Sequence, residues 1–91
     1  MIDEIKLALS RKMAIYHLDI IDDSAKHASH KEAKKSGGGH YQLMIVSDDF
    51  KGKSLIQRHR MVNSALQLLF KSSIHALSIS ALTVQDYELR S

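Results

Sequence analysis

An extended run at residues 40–47, a helical pattern over 55–71 and a second extended run at 74–82 follow one another with only short turns between them. This order constrains the fold more than any other feature. Two strands joined through a helix run parallel in one sheet, and the crossover is almost always right-handed. The first run, His40-Tyr41-Gln42-Leu43-Met44-Ile45-Val46-Ser47, is apolar on both faces, as a central strand is. The second carries His75, Leu77, Ile79 and Ala81 on one side. Residues 48–53 form the turn between strand and helix, and Ser54 is placed to cap the helix. Leu55, His59, Val62, Leu66 and Leu69 make the helix's core stripe, with Ala65 alongside.

Ahead of this unit, Ile2, Ile5, Leu9 and Met13 fall at helical spacing and predict a helix over 2–13. Its acids, Asp3 and Glu4, lie in the first turn and Arg11 and Lys12 in the last, the order that suits the helix dipole. Residues 15–22 alternate as a strand, with Tyr16, Leu18 and Ile20 on the core side. That strand pairs antiparallel with 40–47 across a long connection, 23–39, which ends in Gly37-Gly38-Gly39 and is read as a flexible loop, with at most a helical turn over 25–35. After the last strand, Thr83-Val84-Gln85-Asp86 resembles a capping box with Asp in place of Glu and opens a short helix to about Arg90. The expectation is one α+β domain over 1–91, ordered αββαβα, with a three-stranded mixed sheet and helices on one face.

The same geometry gathers histidines. Parallel strands start at one end of the sheet, and the first hairpin turns around at that end too. His75, at the start of the third strand, therefore lies near His40, at the start of the second, and below His27 and His30 in the 23–39 loop.

With 91 residues the chain buries a modest core without staples. It has no cysteine, which removes disulfides, thiolate metal sites and cysteine nucleophiles, and fits a reducing compartment. No apolar run approaches membrane-spanning length and the first residues lack an apolar signal core, so the expected location is cytosol or an organelle matrix. A formal charge of +3 permits nucleic-acid contact without arguing for it. No nucleophile–base pair and no phosphate loop stands at a recognisable spacing, so the chain is not read as an enzyme.

Each candidate has an ordinary reading beside the functional one. Taken alone, His75 is a strand-end histidine bonded to backbone, and His27 and His30 are solvated loop residues. His59, on the core stripe, is read as a structural histidine satisfied by a nearby group; His17 is read as solvated, and His40 is at most a weak ligand candidate. Lys51, Lys53, Arg58 and Arg60 cluster at the turn and helix start, where the ordinary reading is a solvated face and the functional one is phosphate contact. Gly52-Lys53-Ser54-Leu55 is not the Gly-x-x-Gly clamp of KH recognition, and no aromatic platform stands near it.

The stretches Asp22-Asp23-Ser24 followed by His27, His40-Tyr41, Ile45-Val46-Ser47, Phe50-Lys51-Gly52-Lys53-Ser54, Arg58-His59-Arg60-Met61-Val62 and Ile74-His75-Ala76-Leu77-Ser78 together resemble the BolA family. The resemblance covers nearly the whole chain. It implies a fold like a class II KH domain and a partner, a monothiol glutaredoxin with a Cys-Gly-Phe-Ser active site. It further implies a [2Fe-2S] cluster bridging the pair, with the glutaredoxin cysteine and a glutathione thiol as two of the ligands. His75 would be the third ligand. The fourth would be a loop residue, by position after Asp-Asp-Ser His27, with His30 as its competitor. The chain lacks cysteine and so resembles the subtype whose loop ligand is histidine. On this reading the isolated chain is a monomer without a stable cluster and the pair is a heterodimer. The family also implies an alternative role, a DNA-binding transcriptional regulator. The loop's extra length and three glycines, and Val84 in place of a proline after the threonine, depart from the family pattern.

Overall fold

Burial of one stripe per helix against one face of a sheet builds the molecule, and the computed structural model describes residues 2–23 and 39–90. The predicted ligand candidates His27 and His30, and the expected turn over 25–35, lie outside the described residues. Helix α1, Ile2–Ser10, buries Ile5 and Leu9. It stops short of the expected residue 13 because the Ser10 hydroxyl folds back to donate to the carbonyls of Lys6 and Leu7, at 2.8 and 3.1 Å. Met13 stays in phase and buried although it follows the helix. Strand β1, His17–Asp22, runs antiparallel to β2, Gly39–Val46, and β2 runs parallel to β3, Ile74–Leu82, giving the sheet order β1-β2-β3. The mixed sheet and the αββαβα order agree with the sequence reading.

A 3-10 turn, Asp48–Phe50, leads from β2 toward helix α2, Leu55–Ala65. The turn closes at Gly52, whose φ of +75° belongs to the left-handed region that favours glycine. Ser54 caps α2 as expected, and Gln57 completes a capping box: the Gln57 amide donates to the Ser54 hydroxyl at 3.2 Å, and the Ser54 amide donates to the Gln57 side chain at 2.8 Å. The expected single helix over 55–71 is instead two segments. Leu66, at φ −102° and ψ 9°, separates α2 from the short helix α3, Gln67–Phe70. Val62 and Leu66 are fully buried and Leu69 packs beside them, but Leu55 is 65 % exposed. It keeps the period of the stripe yet sits in a first turn that no core residue covers.

Leu18 and Ile20 of β1, Tyr41, Leu43 and Ile45 of β2, and Leu77, Ile79 and Ala81 of β3 meet α1 and α2 in one core. Tyr16, expected on the core side, precedes the strand and donates from its hydroxyl to Glu88 at 2.8 Å. The last helix, α4, Val84–Arg90, opens on the predicted capping box: the Asp86 amide donates to the Thr83 hydroxyl at 3.1 Å, and the Thr83 amide to the Asp86 carboxylate at 3.3 Å. Its Tyr87 ring stacks on His17 with centroids 4.9 Å apart. His17 is therefore packed rather than solvated, and its Nε2 lies 2.9 Å from Asp19. Among the described residues no helix is long and apolar enough to cross a membrane.

Candidate functional site

The ladder between β2 and β3 shifts at its first step. Gly39 is opposite Ile74, but His40 is opposite Ala76, which leaves His75 without a counterpart on β2. Strict alternation would put His75 on the core side with Leu77. The shift instead lets Ile74 and Leu77 both turn inward and releases His75 to the surface, the re-aiming that a bulge allows. Its ring comes to rest beside that of His40, with centroids 5.1 Å apart and planes tilted by 48°.

The same edge anchors both ends of the 24–38 segment. The Asp23 amide donates to the His40 carbonyl at 2.7 Å, and the Gly39 amide donates to the Ser73 carbonyl at 3.0 Å. Gln42 donates from its side chain to the Asp23 carboxylate. A Cβ at 39 would collide with the Tyr41 ring, which shares its face two residues on, so any larger residue there has to displace that ring. Burial, then Asp22 and Glu4, push the Tyr41 hydroxyl above its ordinary pKa, so it stays a neutral donor. A shallow depression of about 480 Å³ is lined by Asp23, His40, Gln42, Ala76 and Ser78. The chemistry at this edge is thus imidazole nitrogen with one carboxylate at its margin. Such donors suit a borderline metal and leave any thiolate to another molecule.

The other candidates separate. Lys53 and Arg60 are exposed, and Lys51 lies 3.7 Å from Asp48 in the same turn. Arg58 is not free to meet a phosphate. Its side chain is 14 % exposed, donates to the carbonyls of Lys53 and Ala81 at 3.0 and 3.1 Å, and reaches the Asp86 carboxylate at 3.3 Å. It ties the start of α2 to the end of β3 and the start of α4. His59 is half-buried on α2 and its ring makes no hydrogen bond among the described residues; a ring that water still reaches does not need the partner expected for it.

Asp86 is held below the ordinary carboxylate range, first by the Thr83 backbone N–H, then by the Thr83 side chain, with Arg58 adding to both. A depressed folded-state pKa contributes stability above the unfolded value and loses it as pH falls through the folded one. Asp86→Asn is accordingly expected to be less stable than the parent at neutral pH, with the gap closing as pH drops below the usual carboxylate range. Urea melts at a series of pH values measure it; a gap independent of pH would mean that the charge at 86 is irrelevant.

Comparison with known proteins agrees with this architecture. A family model described as BolA-like protein matches residues 9–86. The chain belongs to the BolA family. Among BolA relatives, the chain is 42 % identical over 83 residues to SufE-like protein 1, chloroplastic/mitochondrial, of Arabidopsis thaliana, a match that takes in 87 % of this chain and 22 % of that protein. The chain thus spans about a fifth of that longer relative. It is 37 % identical to Protein BOLA2 of Arabidopsis thaliana, over 94 % of this chain and 82 % of that one. It is 30 % identical to the DNA-binding transcriptional regulator BolA of Escherichia coli, over 78 % and 64 %. In three dimensions it resembles the BolA domain of SufE1 from Arabidopsis thaliana, with a TM-score of 0.76 at 40 % identity and 91 % of each chain covered. BolA1 from the same plant gives a TM-score of 0.76 at 30 % identity over 92 % of each.

Of the BolA-type ligand pair expected from sequence, His75 is exposed at the start of β3 and His27 lies outside the described residues. The ring that meets His75 is that of His40, which the sequence ranked low. The signal that could have raised it was its place opposite Ala76, one residue past His75, and that depends on the register shift.

Proposed function

We propose that this BolA-family chain holds one side of a [2Fe-2S] cluster shared with a monothiol glutaredoxin and its glutathione, in cluster transfer or iron regulation. The observation that carries the reading is the exposed His75, set outside the strand ladder beside His40, at the edge where both ends of the 24–38 segment attach. The donor set fits: His75, with His27 or else His30 from the segment, supplies neutral imidazoles, and the chain has no cysteine. A bound cluster with two imidazoles on one iron has a higher potential than an all-thiolate one and carries less anionic charge, which suits handing it on. This chain's part is to present the nitrogens and to keep them apart from its own core. The test is co-expression with a Cys-Gly-Phe-Ser glutaredoxin, followed by gel filtration, visible absorption and circular dichroism. A coloured heterodimer and a colourless isolated chain are expected. A partner-free chain carrying stoichiometric iron and sulfide would overturn the reading.

A second reading, DNA binding, is favoured by the relatives named DNA-binding transcriptional regulator BolA in Escherichia coli and Vibrio cholerae. It would use Lys51, Lys53 and Arg60. It is the weaker of the two because Arg58 is committed internally and Asp48 and Asp49 stand in the same turn as the lysines.

A further inference from the structure

Helix α1 and the α2–α3 pair do not close fully on each other. The groove between them has a volume of about 610 Å³ and is lined by Leu7, Ala8, Ala65, Leu68 and Leu69. A second hollow of about 380 Å³ shares Lys12, Ser64 and Ala65 with it and continues past Met61 to Arg60. Small residues leave the gap. Ala8 on one wall and Ser64 and Ala65 on the other carry too little side chain to fill the space between packed helices. Leu7 and Leu68 stand on the rims, 53 % and 76 % exposed. Scattered exposed leucines are ordinary, but two that line one concavity with polar residues around it mark an interaction site.

Charge is spread unevenly along this groove. Arg11, Lys12 and Arg60 gather at one end, and Glu4 lines the other. Glu4 is the only acid among the described residues that line either hollow. Among the described residues none of the three cations makes an ion pair or a side-chain hydrogen bond. The cations of the α2 start differ, since Lys51 has Asp48 and Arg58 has Asp86. An occupant with carboxylates at the basic end meets complementary charge there, and one with cations there is repelled.

The shape narrows the occupant further. The groove is open along its length, so an acyl chain laid in it would stay largely in water, whereas small-molecule sites bury most of their ligand. A helix brings its own cover: it sets one apolar stripe into a groove and keeps its polar face outside. Three cations on two walls also call for more than one carboxylate. From Glu4 to Lys12 the groove follows about eight residues of α1, roughly 12 Å, or about two helical turns.

We propose that the groove between α1 and the α2–α3 pair docks a short amphipathic helix of a partner protein, apolar on the face it buries and acidic at the end that meets Arg11, Lys12 and Arg60. This is independent of the cluster reading, whose histidines lie on the strands and not on this helical face.

The test uses the whole chain as bait for a random peptide library long enough for about three helical turns. Selected binders should carry leucine-type residues one turn apart and Asp or Glu at one end. The tightest binder, titrated into labelled protein, should shift the amides of Leu7, Ala8, Ala65 and Leu68 and leave that of His75 in place. Arg11→Glu with Lys12→Glu, both at exposed positions, should weaken it about tenfold or more. Exchanging the binder's acids for lysines should restore binding to that variant. A selection without binders, binders without an acidic end, shifts elsewhere on the protein, or equal affinity for the charge-reversed variant would each overturn the proposal. So would laurate or a short DNA duplex shifting the groove amides when no selected peptide does. Groove shifts that follow the concentration of the chain alone would overturn it too, because a second copy would then be the occupant.

Discussion

His75→Ala is expected to remove the visible circular dichroism of the glutaredoxin complex while leaving the chain folded. Position 75 has no counterpart on β2 and its side chain is exposed, so truncation opens no cavity and breaks no ladder bond. A surface change of that kind usually moves stability by no more than about 0.5 kcal/mol. The loss of cluster should exceed the roughly 10–100-fold penalty that follows removal of a mere outer-sphere partner of a metal. His27→Ala should be milder, because His30 is three residues away and His40 stands beside His75. His75 is placed before the partner arrives, by a strand paired with β2 on either side of it, at Ile74 and from Ala76 onward, and a ligand held in advance contributes more than one ordered on binding. Comparing spectra of the parent, His75→Ala and His27→Ala complexes decides the matter. If His27→Ala abolishes the signal and His75→Ala leaves it intact, the anchor is not on β3.

Phe50→Ala should be the most destabilising single truncation outside the helices and strands, by about 3–5 kcal/mol. Against the 5–15 kcal/mol that holds a typical domain, this could remove half the stability. Phe50 is fully buried although it belongs to a turn of three residues. That turn is stitched to the chain before β1. The Ser47 hydroxyl donates to the Ala14 carbonyl at 2.6 Å and accepts from the Asp49 amide at 3.1 Å, while the Ala14 amide donates to the Asp49 carboxylate at 2.9 Å. A collapse around the missing ring would pull on all three elements that meet there. The urea midpoint should fall with its slope unchanged. A shift worth less than about 1 kcal/mol would show that the core closes over the gap, at odds with the packing seen.

Periodicity proved a better guide to burial than to hydrogen bonding. Met13 keeps the phase of α1 and is buried, yet the helix has ended at Ser10; Leu69 keeps the phase of α2 across a break at Leu66. Both made the helices look longer than they are. Leu55 failed in the opposite sense, because an apolar residue in phase is covered only if something lies opposite it. Strand β3 was legible to the residue, with the Thr83 capping box bounding its far end. The end of the sheet where the histidines meet followed from topology. The particular pair did not, because one shifted step decides which way His75 turns, and nothing in the local sequence announces it. Arg58 was misread for a related reason: a cation in a basic cluster looks solvated until three elements are seen to converge on it.

The two bonds that anchor the 24–38 segment have a practical meaning for protein engineering. Asp23 is fastened to His40 and Gly39 to Ser73, so the sheet itself holds the ports of entry and exit. A replacement insert has only to bridge that fixed gap. Its closure entropy grows with the logarithm of its length, about 0.6 kcal/mol for each doubling. Grafts of different length between these two anchors are therefore expected to leave the sheet intact, which amide protection of β2 and β3 would report.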